Sequence, residues 1–189
     1  YQYLMLHKPT GLLTAARDSR APTVMQLLPE SCARRKVLPV GRLDKDTTGL
    51  LLFTNDGELA HRLLSPKRHV WKTYEATVTG RLTAADEEAF ARGITLSDFT
   101  ALPARMEILS AGEDESRARV QVREGKFHQI KRMFGALGHE VTALSRLTFG
   151  ALRLPAELPP GQYRELTEEE LSALREEAGL TEPERNEDA

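Results

Sequence analysis

Cysteine, tryptophan and long apolar runs are almost absent from this chain. Its 189 residues include one cysteine, one tryptophan and only 6% aromatic side chains. The single cysteine, Cys32, excludes an internal disulfide, fits a reducing cytosol and argues against a cysteine-based zinc site. No apolar stretch approaches the roughly 20 residues that span a bilayer, so we expect no membrane segment. The five histidines lack metal-binding spacing with carboxylates, and no glycine-rich nucleotide motif occurs, so we expect neither metal nor cofactor.

The composition that is present suits a globular protein with an uneven distribution of charge. Apolar residues make up 40% of the chain, enough for a sizeable core. A net charge of -2 argues by itself against binding to nucleic acid. However, residues 1–80 carry +5, residues 81–160 are neutral and residues 161–189 carry -7. An acidic tail therefore masks a basic body that suits phosphates, although solvated surface explains such blocks as well.

Hydrophobic periodicity predicts interleaved strands and helices. Strands are predicted at residues 3–6, 36–40, 50–54, 70–79, 106–109, 118–122 and 141–147, and helices at residues 23–28, 58–64, from 83, 125–137 and from 167. Several strands are joined by connections too short for parallel crossovers, such as the polar loop at residues 110–116. The pattern therefore predicts an α+β fold with a mixed, largely antiparallel sheet.

The segment at residues 41–49, GRLDKDTTG, is the densest in groups that can do chemistry. Glycines at both ends let the backbone turn tightly and let a ligand approach. In an extended segment Asp44 and Asp46 share a face with Arg42, and nearby cations keep a carboxylate ionised, as a nucleophile requires. On composition alone, a charged surface turn is the more common explanation.

Two further segments suit a nucleic-acid ligand. The stretch REGKFHQIKRM at residues 123–133 places cations at the start of a predicted helix, where Lys126 suits a phosphate or a carboxylate. The apolar side of that helix would contain Phe127, Ile130, Phe134 and Leu137. In the KTY stretch at residues 72–74, Tyr74 next to a cation suits stacking on a base. A solvated helix and a half-buried strand tyrosine are the more common explanations of these two patterns.

Four motifs in order give the chain a family resemblance. They are GRLDKDTTGLLLFTNDG, KTY, REGKFHQIKRMF and PGQYRELTEEE. Together they resemble the ribosomal small-subunit pseudouridine synthase A family of RNA pseudouridine synthases, from residue 3 to about residue 174. The resemblance implies the pseudouridine synthase fold, with two lobes around the sheet and a basic cleft between them. It also implies that a uridine is flipped out of the RNA and isomerised without a redox step or an energy source.

The resemblance also assigns roles to individual residues. Asp44 matches the catalytic aspartate, Tyr74 the tyrosine that stacks on the target base, and Lys126 the basic residue paired with the aspartate. Arg42 matches an arginine that holds the flipped nucleotide or fills the gap it leaves, and Leu144 an apolar position of the base pocket. The other positions expected to contact RNA are Lys45, Thr47, Lys72, His128, Gln129, Lys131, Arg132 and Arg146.

Domain organisation and partners follow from the same resemblance. We expect a catalytic domain at residues 1–175 and a flexible acidic tail at residues 176–189. Relatives of this type usually carry a small S4-like RNA-binding domain ahead of the catalytic domain, which this sequence lacks. The chain begins at Tyr1 and enters a strand-like run at once, so we expect the natural protein to have residues upstream. The expected partner is ribosomal RNA or a partly assembled ribosomal subunit, bound by a cytoplasmic monomer.

Three other functions remain open at this point. A glycosidase could use Asp44 and Asp46 as its two carboxylates, although aromatic residues that would bind sugar are few. A non-catalytic RNA-binding or ribosome-assembly protein could share the fold, but it would have no reason to keep a carboxylate among basic groups. A pseudouridine synthase could act on large-subunit RNA, although the HQIKRMF and PGQYRELTEEE stretches favour the small-subunit branch.

Overall fold

A computed structural model describes residues 1–180, and one mixed sheet organises them. In chain order the strands are β1 (Tyr3–Lys8), β2 (Leu38–Pro39), β3 (Thr48–Thr54), β4 (Lys72–Thr79), β5 (Arg105–Ala111), β6 (Glu115–Val122), β7 (Val141–Phe149), β8 (Leu152–Arg153) and β9 (Tyr163–Glu165). The helices are α1 (Glu30–Arg34), α2 (Gly57–Leu64), α3 (Ala84–Arg92), α4 (Gln129–Ala136) and α5 (Glu168–Glu177), with a 3-10 turn at Val24–Leu27.

The sheet consists of two antiparallel halves joined by one short parallel contact. Its strand order is β5-β6-β4-β7-β3-β1-β9, with β2 beside β3 and β8 beside β7. The parallel contact between β3 and β7 covers two residue pairs, Thr48 with Ser145 and Gly49 with Arg146. Gly49 has a φ of +110°, and a Cβ there would collide with the backbone of Arg146, so only glycine allows the two halves to approach this closely. The predicted α+β class and the largely antiparallel sheet are confirmed.

Each half of the sheet has its own core. In the half containing β4 to β7, α3 and α4 cover one face, and the rings of Phe90 and Phe134 lie 4.8 Å apart. In the other half β3 is covered on both faces: Leu50 and Leu52 pack towards α2 and α5, whereas Leu51 and Phe53 pack towards the segment around Val24. A strand buried on both sides explains why its sequence is a continuous apolar run rather than an alternating one.

Helix boundaries followed local chemistry where a capping side chain was present. Asp56 caps α2 by accepting from the backbone N–H of Leu59. Thr83 and Thr167 form capping boxes with Asp86 and Glu170 at the start of the two predicted helices. Each cap satisfies backbone N–H groups that would otherwise have no acceptor.

Other boundaries differ from the predictions. The loop expected at residues 110–116 is mostly strand, because β5 and β6 continue to a tight hairpin at residues 112–114. The strand expected at residues 36–40 shortens to β2. Helix α4 begins at Gln129, because His128 adopts a left-handed backbone (φ +50°) that helix cannot include. Phe127 is consequently 76% exposed instead of packing beside Ile130 and Phe134.

Helix α5 continues to Glu177, with Leu174 and Ala178 buried against the sheet. The remaining residues of the predicted acidic tail, 181–189, lie outside the described part of the chain. No helix within residues 1–180 combines the length and apolar character needed to cross a membrane. The same residues contain no group of three or more metal-ligating side chains.

Candidate active site

The side chain of Lys8 holds the loop that carries Asp44 in place. Lys8 is the last residue of β1 and has no exposed surface. Its Nζ donates to the carbonyl oxygens of Pro9 (3.0 Å), Asp44 (3.1 Å), Lys45 (3.0 Å) and Thr47 (2.8 Å). An ammonium group has three protons, so two of these carbonyls share one. A single buried cation therefore fixes the backbone from the candidate catalytic Asp44 to Thr47.

Burial lowers the pKa of Lys8 to about 8, a shift that Asp46 and Asp44 partly oppose. The side chain stays mostly protonated at neutral pH. The loop has a second attachment, because Thr14 donates its hydroxyl to the carbonyl of Leu43 at 2.9 Å. The sequence did not predict this role for Lys8, because the HKPTG stretch at residues 7–11 is typical of an exposed turn. The available signal was its position at the end of a strand that is apolar on both sides.

The Asp44 carboxylate lies between two basic side chains of the α4 segment. Its Oδ1 is 3.2 Å from Nε2 of His128, and its Oδ2 is 3.3 Å from Nζ of Lys131. Lys131 also contacts Oδ1 of Asp46 at 2.7 Å. Burial by itself would lower the pKa of Lys131, but the hydrogen bonds and charges of Asp46 and Asp44 outweigh it and raise the pKa. The hydrogen bond from Lys131 holds the pKa of Asp46 below its usual value.

The ion pair predicted between Lys126 and Asp44 is not formed. Because α4 begins at Gln129, Lys126 lies in the preceding loop, and its Nζ is 5.8 Å from the centre of the Phe99 ring. Lys131, in the first turn of α4, reaches the carboxylate instead. Among residues 1–180, Lys131 and His128 are the basic partners of Asp44.

A pocket of about 80 Å³ brings the segments at residues 41–49 and 123–133 together, as predicted. Its lining residues are Arg42, Leu43, Asp44, Thr47, Tyr74, Val122, Glu124, Gly125, Lys126, His128, Gln129, Ile130, Lys131 and Leu144. Asp44, Tyr74 and Lys126 therefore share one pocket. Apolar side chains from β4, β6, α4 and β7 give it a wall on which a planar base can stack.

The other predicted RNA positions lie in four different surroundings. Lys72 and Arg146 line an adjoining cavity, and Lys45 is exposed on the loop surface. Arg132 forms an ion pair with Asp98. Gln129 is buried, and its amide accepts from the Lys126 N–H at 3.1 Å and donates to Glu124 at 2.8 Å. Its polar atoms thus hold the loop before α4 rather than facing solvent.

Comparison with known proteins assigns the chain to a family. Residues 2–136 match the family model described as RNA pseudouridylate synthase. The chain belongs to this family and is an RNA pseudouridine synthase. This result confirms the enzyme class that the motifs predicted.

The relatives include both named and uncharacterized enzymes. The "Uncharacterized RNA pseudouridine synthase YtzG" of Bacillus subtilis is 47% identical over 175 residues, which cover 92% of this chain and 73% of that protein. "Ribosomal small subunit pseudouridine synthase A" of Escherichia coli K12 is 41% identical over 175 residues, covering 92% of this chain and 74% of that protein. A crystal structure of a pseudouridylate synthase superposes with a TM-score of 0.85 at 39% identity, covering 92% of this chain and 73% of that one.

Proposed function

We propose that the protein converts a uridine of small-subunit ribosomal RNA to pseudouridine, with Asp44 as the carboxylate that starts the reaction. The observation that carries this proposal is the placement of Asp44 on a loop fixed by Lys8, paired with Lys131 and facing a pocket that Tyr74 also lines. The choice of the small subunit is supported by the 41% identity to an enzyme named for that activity.

The reaction breaks the bond between N1 of uracil and C1′ of ribose, rotates the base and joins its C5 to C1′. The proton on C5 must then leave. Asp44 can act as a nucleophile at C1′ or remove the proton from C2′, and both routes require an ionised carboxylate facing the sugar. Lys131 stabilises that charge and fixes its position. Tyr74 is proposed to stack on the base and to accept the C5 proton directly or through water.

The remaining residues are proposed to capture the RNA. Flipping a uridine out of its stack costs a few kcal/mol, which basic contacts and stacking must offset. Arg42, exposed beside the pocket, is proposed to hold the flipped nucleotide or occupy the gap it leaves. Lys126, freed from the role of partner to Asp44, is proposed to contact the RNA backbone from the pocket wall.

We further propose that residues 1–175 act as a catalytic domain, as a monomer, in the cytoplasm. The E. coli relative is longer, since the matched residues cover 74% of it. An S4-like domain ahead of the catalytic domain is the proposed content of that extra length.

The target is tested by incubating the purified protein with small-subunit RNA, partly assembled small subunits and large-subunit RNA. Pseudouridine is mapped with a chemical adduct that stops reverse transcriptase, and released uracil is measured in parallel. We expect one modified uridine in small-subunit RNA or its particles and no free uracil. Modification of large-subunit RNA alone would overturn the target, and release of uracil without pseudouridine would favour a glycosidase.

The pairing of Asp44 can be tested by comparing Lys131→Met with Lys126→Met, two changes that remove one charge each. Because Lys131 contacts the carboxylate, its loss should lower kcat by about 100-fold with a smaller effect on KM. Loss of Lys126 should mainly raise KM, by about tenfold, because it removes one RNA contact. Lys131→Arg should recover part of kcat. The opposite split, with kcat dependent on Lys126, would restore Lys126 as the partner of Asp44.

A further inference from the structure

A second cavity, of about 300 Å³, lies beside the pocket that contains Asp44. Arg42, Tyr74 and Lys126 line both spaces, so the cavity adjoins the residues that would surround a flipped uridine. Its volume is at the lower end of the range for ligand-binding pockets. A strand of RNA whose uridine enters the first pocket would therefore have its next chain segment at the entrance of the second.

The lining of this cavity is strongly cationic. Five lysine and arginine side chains contribute to it: Arg42, Lys72, Arg123, Lys126 and Arg146. Glu124 is the one carboxylate among the lining residues. Its Oε1 already accepts from the Leu102 N–H at 2.7 Å and from Gln129 Nε2 at 2.8 Å. The cavity therefore has a surplus of positive charge that its own carboxylate does not neutralise.

Arg146 and Lys72 lie against the same aromatic ring in this wall. Arg146 is 2% exposed; its Nε donates to the Leu50 carbonyl at 2.9 Å, and its Nη2 has no hydrogen-bond acceptor. The guanidinium carbon of Arg146 and Nζ of Lys72 lie 5.1 and 5.7 Å from the centre of the same ring, that of Phe149. No ion pair within residues 1–180 includes either cation.

Arg146 is buried and Lys72 is half-buried, and neither has a carboxylate within ion-pair distance, so an anion between them would be stabilised. Burial and the charge of Arg146 lower the pKa of Lys72 to about 8, although the nearby charge of Glu124 partly opposes this shift. Binding of an anion would reverse that shift and would supply the acceptor that Arg146 lacks. Leu64 and Leu102 provide an apolar wall beside the cations, which suits a sugar attached to that anion.

We propose that this cavity binds a backbone phosphate adjacent to the flipped uridine, with Lys72 and Arg146 as its cationic ligands. The proposal rests on the proposed function, because the adjoining pocket must be the one that receives the uridine. A free phosphate or a mononucleotide offers the same anion, so the test has to separate these sources from an RNA strand.

The test uses an RNA fragment on which the wild-type protein forms pseudouridine. Versions of it carry one uncharged methylphosphonate linkage, either 5′ or 3′ of the target uridine. Affinities are measured for the wild-type protein and for Lys72→Gln. One methylphosphonate should weaken wild-type binding by about tenfold, as expected for one charge-assisted contact. Lys72→Gln should weaken binding to the natural RNA similarly, and the two changes combined should cost no more than either alone.

Lys67→Gln is the matched control, because it removes the same charge from an exposed lysine outside the cavity. It should change affinity less than about threefold, as is usual for an exposed charge. Melting curves establish that both variants fold. Arg146→Lys provides a second measurement, since it keeps the charge but loses the planar fork, and it should also lose the sensitivity to methylphosphonate.

If the affinity losses from Lys72→Gln and from the methylphosphonate simply add, this inference is overturned. Pseudouridine formation by the wild type would still support the proposed function in that case. Absence of pseudouridine in every RNA would remove the proposed function, and this inference with it. In a separate arm, inorganic phosphate and uridine monophosphate are titrated into the wild type and Lys72→Gln. In one outcome these small anions bind in a way that depends on Lys72 while RNA affinity is unchanged by the methylphosphonate. That result would assign the cavity to a free phosphate and overturn the proposed RNA contact.

Discussion

Replacement of Asp44 by asparagine should abolish pseudouridine formation while the protein still folds and binds RNA. Asparagine keeps the shape of the side chain but can neither attack C1′ nor accept the C2′ proton. We expect kcat to fall by about 10⁴-fold or more, the scale seen when a nucleophile is removed from an enzyme. RNA affinity should stay the same or rise, because a negative charge near the phosphates is lost. Modification is read by the chemical stop, and affinity by filter binding.

Asp46→Asn is the internal control, with the same chemical change two residues away. The Asp46 side chain is 74% exposed and shares Lys131 with Asp44. Its removal leaves Lys131 to Asp44 alone, so activity should stay within about tenfold of the wild type. Equal losses in both variants would point to a two-carboxylate mechanism of the glycosidase kind. Full activity of Asp44→Asn would show that another residue starts the reaction.

Replacement of Lys8 by methionine should damage both stability and activity, although Lys8 does not line the pocket. The change removes the donor that four carbonyls share; the bond to Thr47 is buried and the other three are partly buried. Unsatisfied buried carbonyls cost about 1–3 kcal/mol each, so the free energy of unfolding should fall by about 3–5 kcal/mol. The part that remains folded should have a lower kcat, because the Asp44 loop is no longer held against Lys131 and the pocket.

Urea unfolding and activity per folded molecule separate these two effects. Lys67→Met is the matched control and should change stability by less than about 0.5 kcal/mol, because its side chain is exposed. If Lys8→Met does not fold, Thr14→Val tests the same loop more gently, since it removes only the bond to the Leu43 carbonyl. A stable and fully active Lys8→Met would mean that the loop keeps its shape without the lysine.

The sequence predicted those parts of the site that depend on motif order. It predicted that Asp44, Tyr74 and Lys126 share one site, and all three line one pocket. The segments at residues 41–49 and 123–133 meet there although Asp46 and Lys131 are 85 residues apart. It also predicted the helix starts at Asp56, Thr83 and Thr167, because a capping side chain acts on backbone groups only a few residues away.

The parts that were missed depend on contacts between distant segments or on a single backbone angle. The partner of Asp44 changes from Lys126 to Lys131 because His128 is left-handed, and no periodicity of side chains reports that angle. The role of Lys8 depends on carbonyls 36 to 39 residues away. The short strands β8 and β9 have no signal of their own and exist because β7 and β1 offer them open edges.

The short parallel contact between β3 and β7 has a consequence for when the protein becomes active. The loop with Asp44 leaves the ribosome well before α4 and β7, which supply Lys131 and complete the pocket. At about 5–20 residues per second, translation takes roughly 4–17 seconds to cover the 85 residues that separate Asp46 from Lys131. During that interval the nascent chain contains Asp44 without Lys131, and strand β3 without its parallel partner β7. The active site is therefore incomplete until the chain up to the end of β7 has been made.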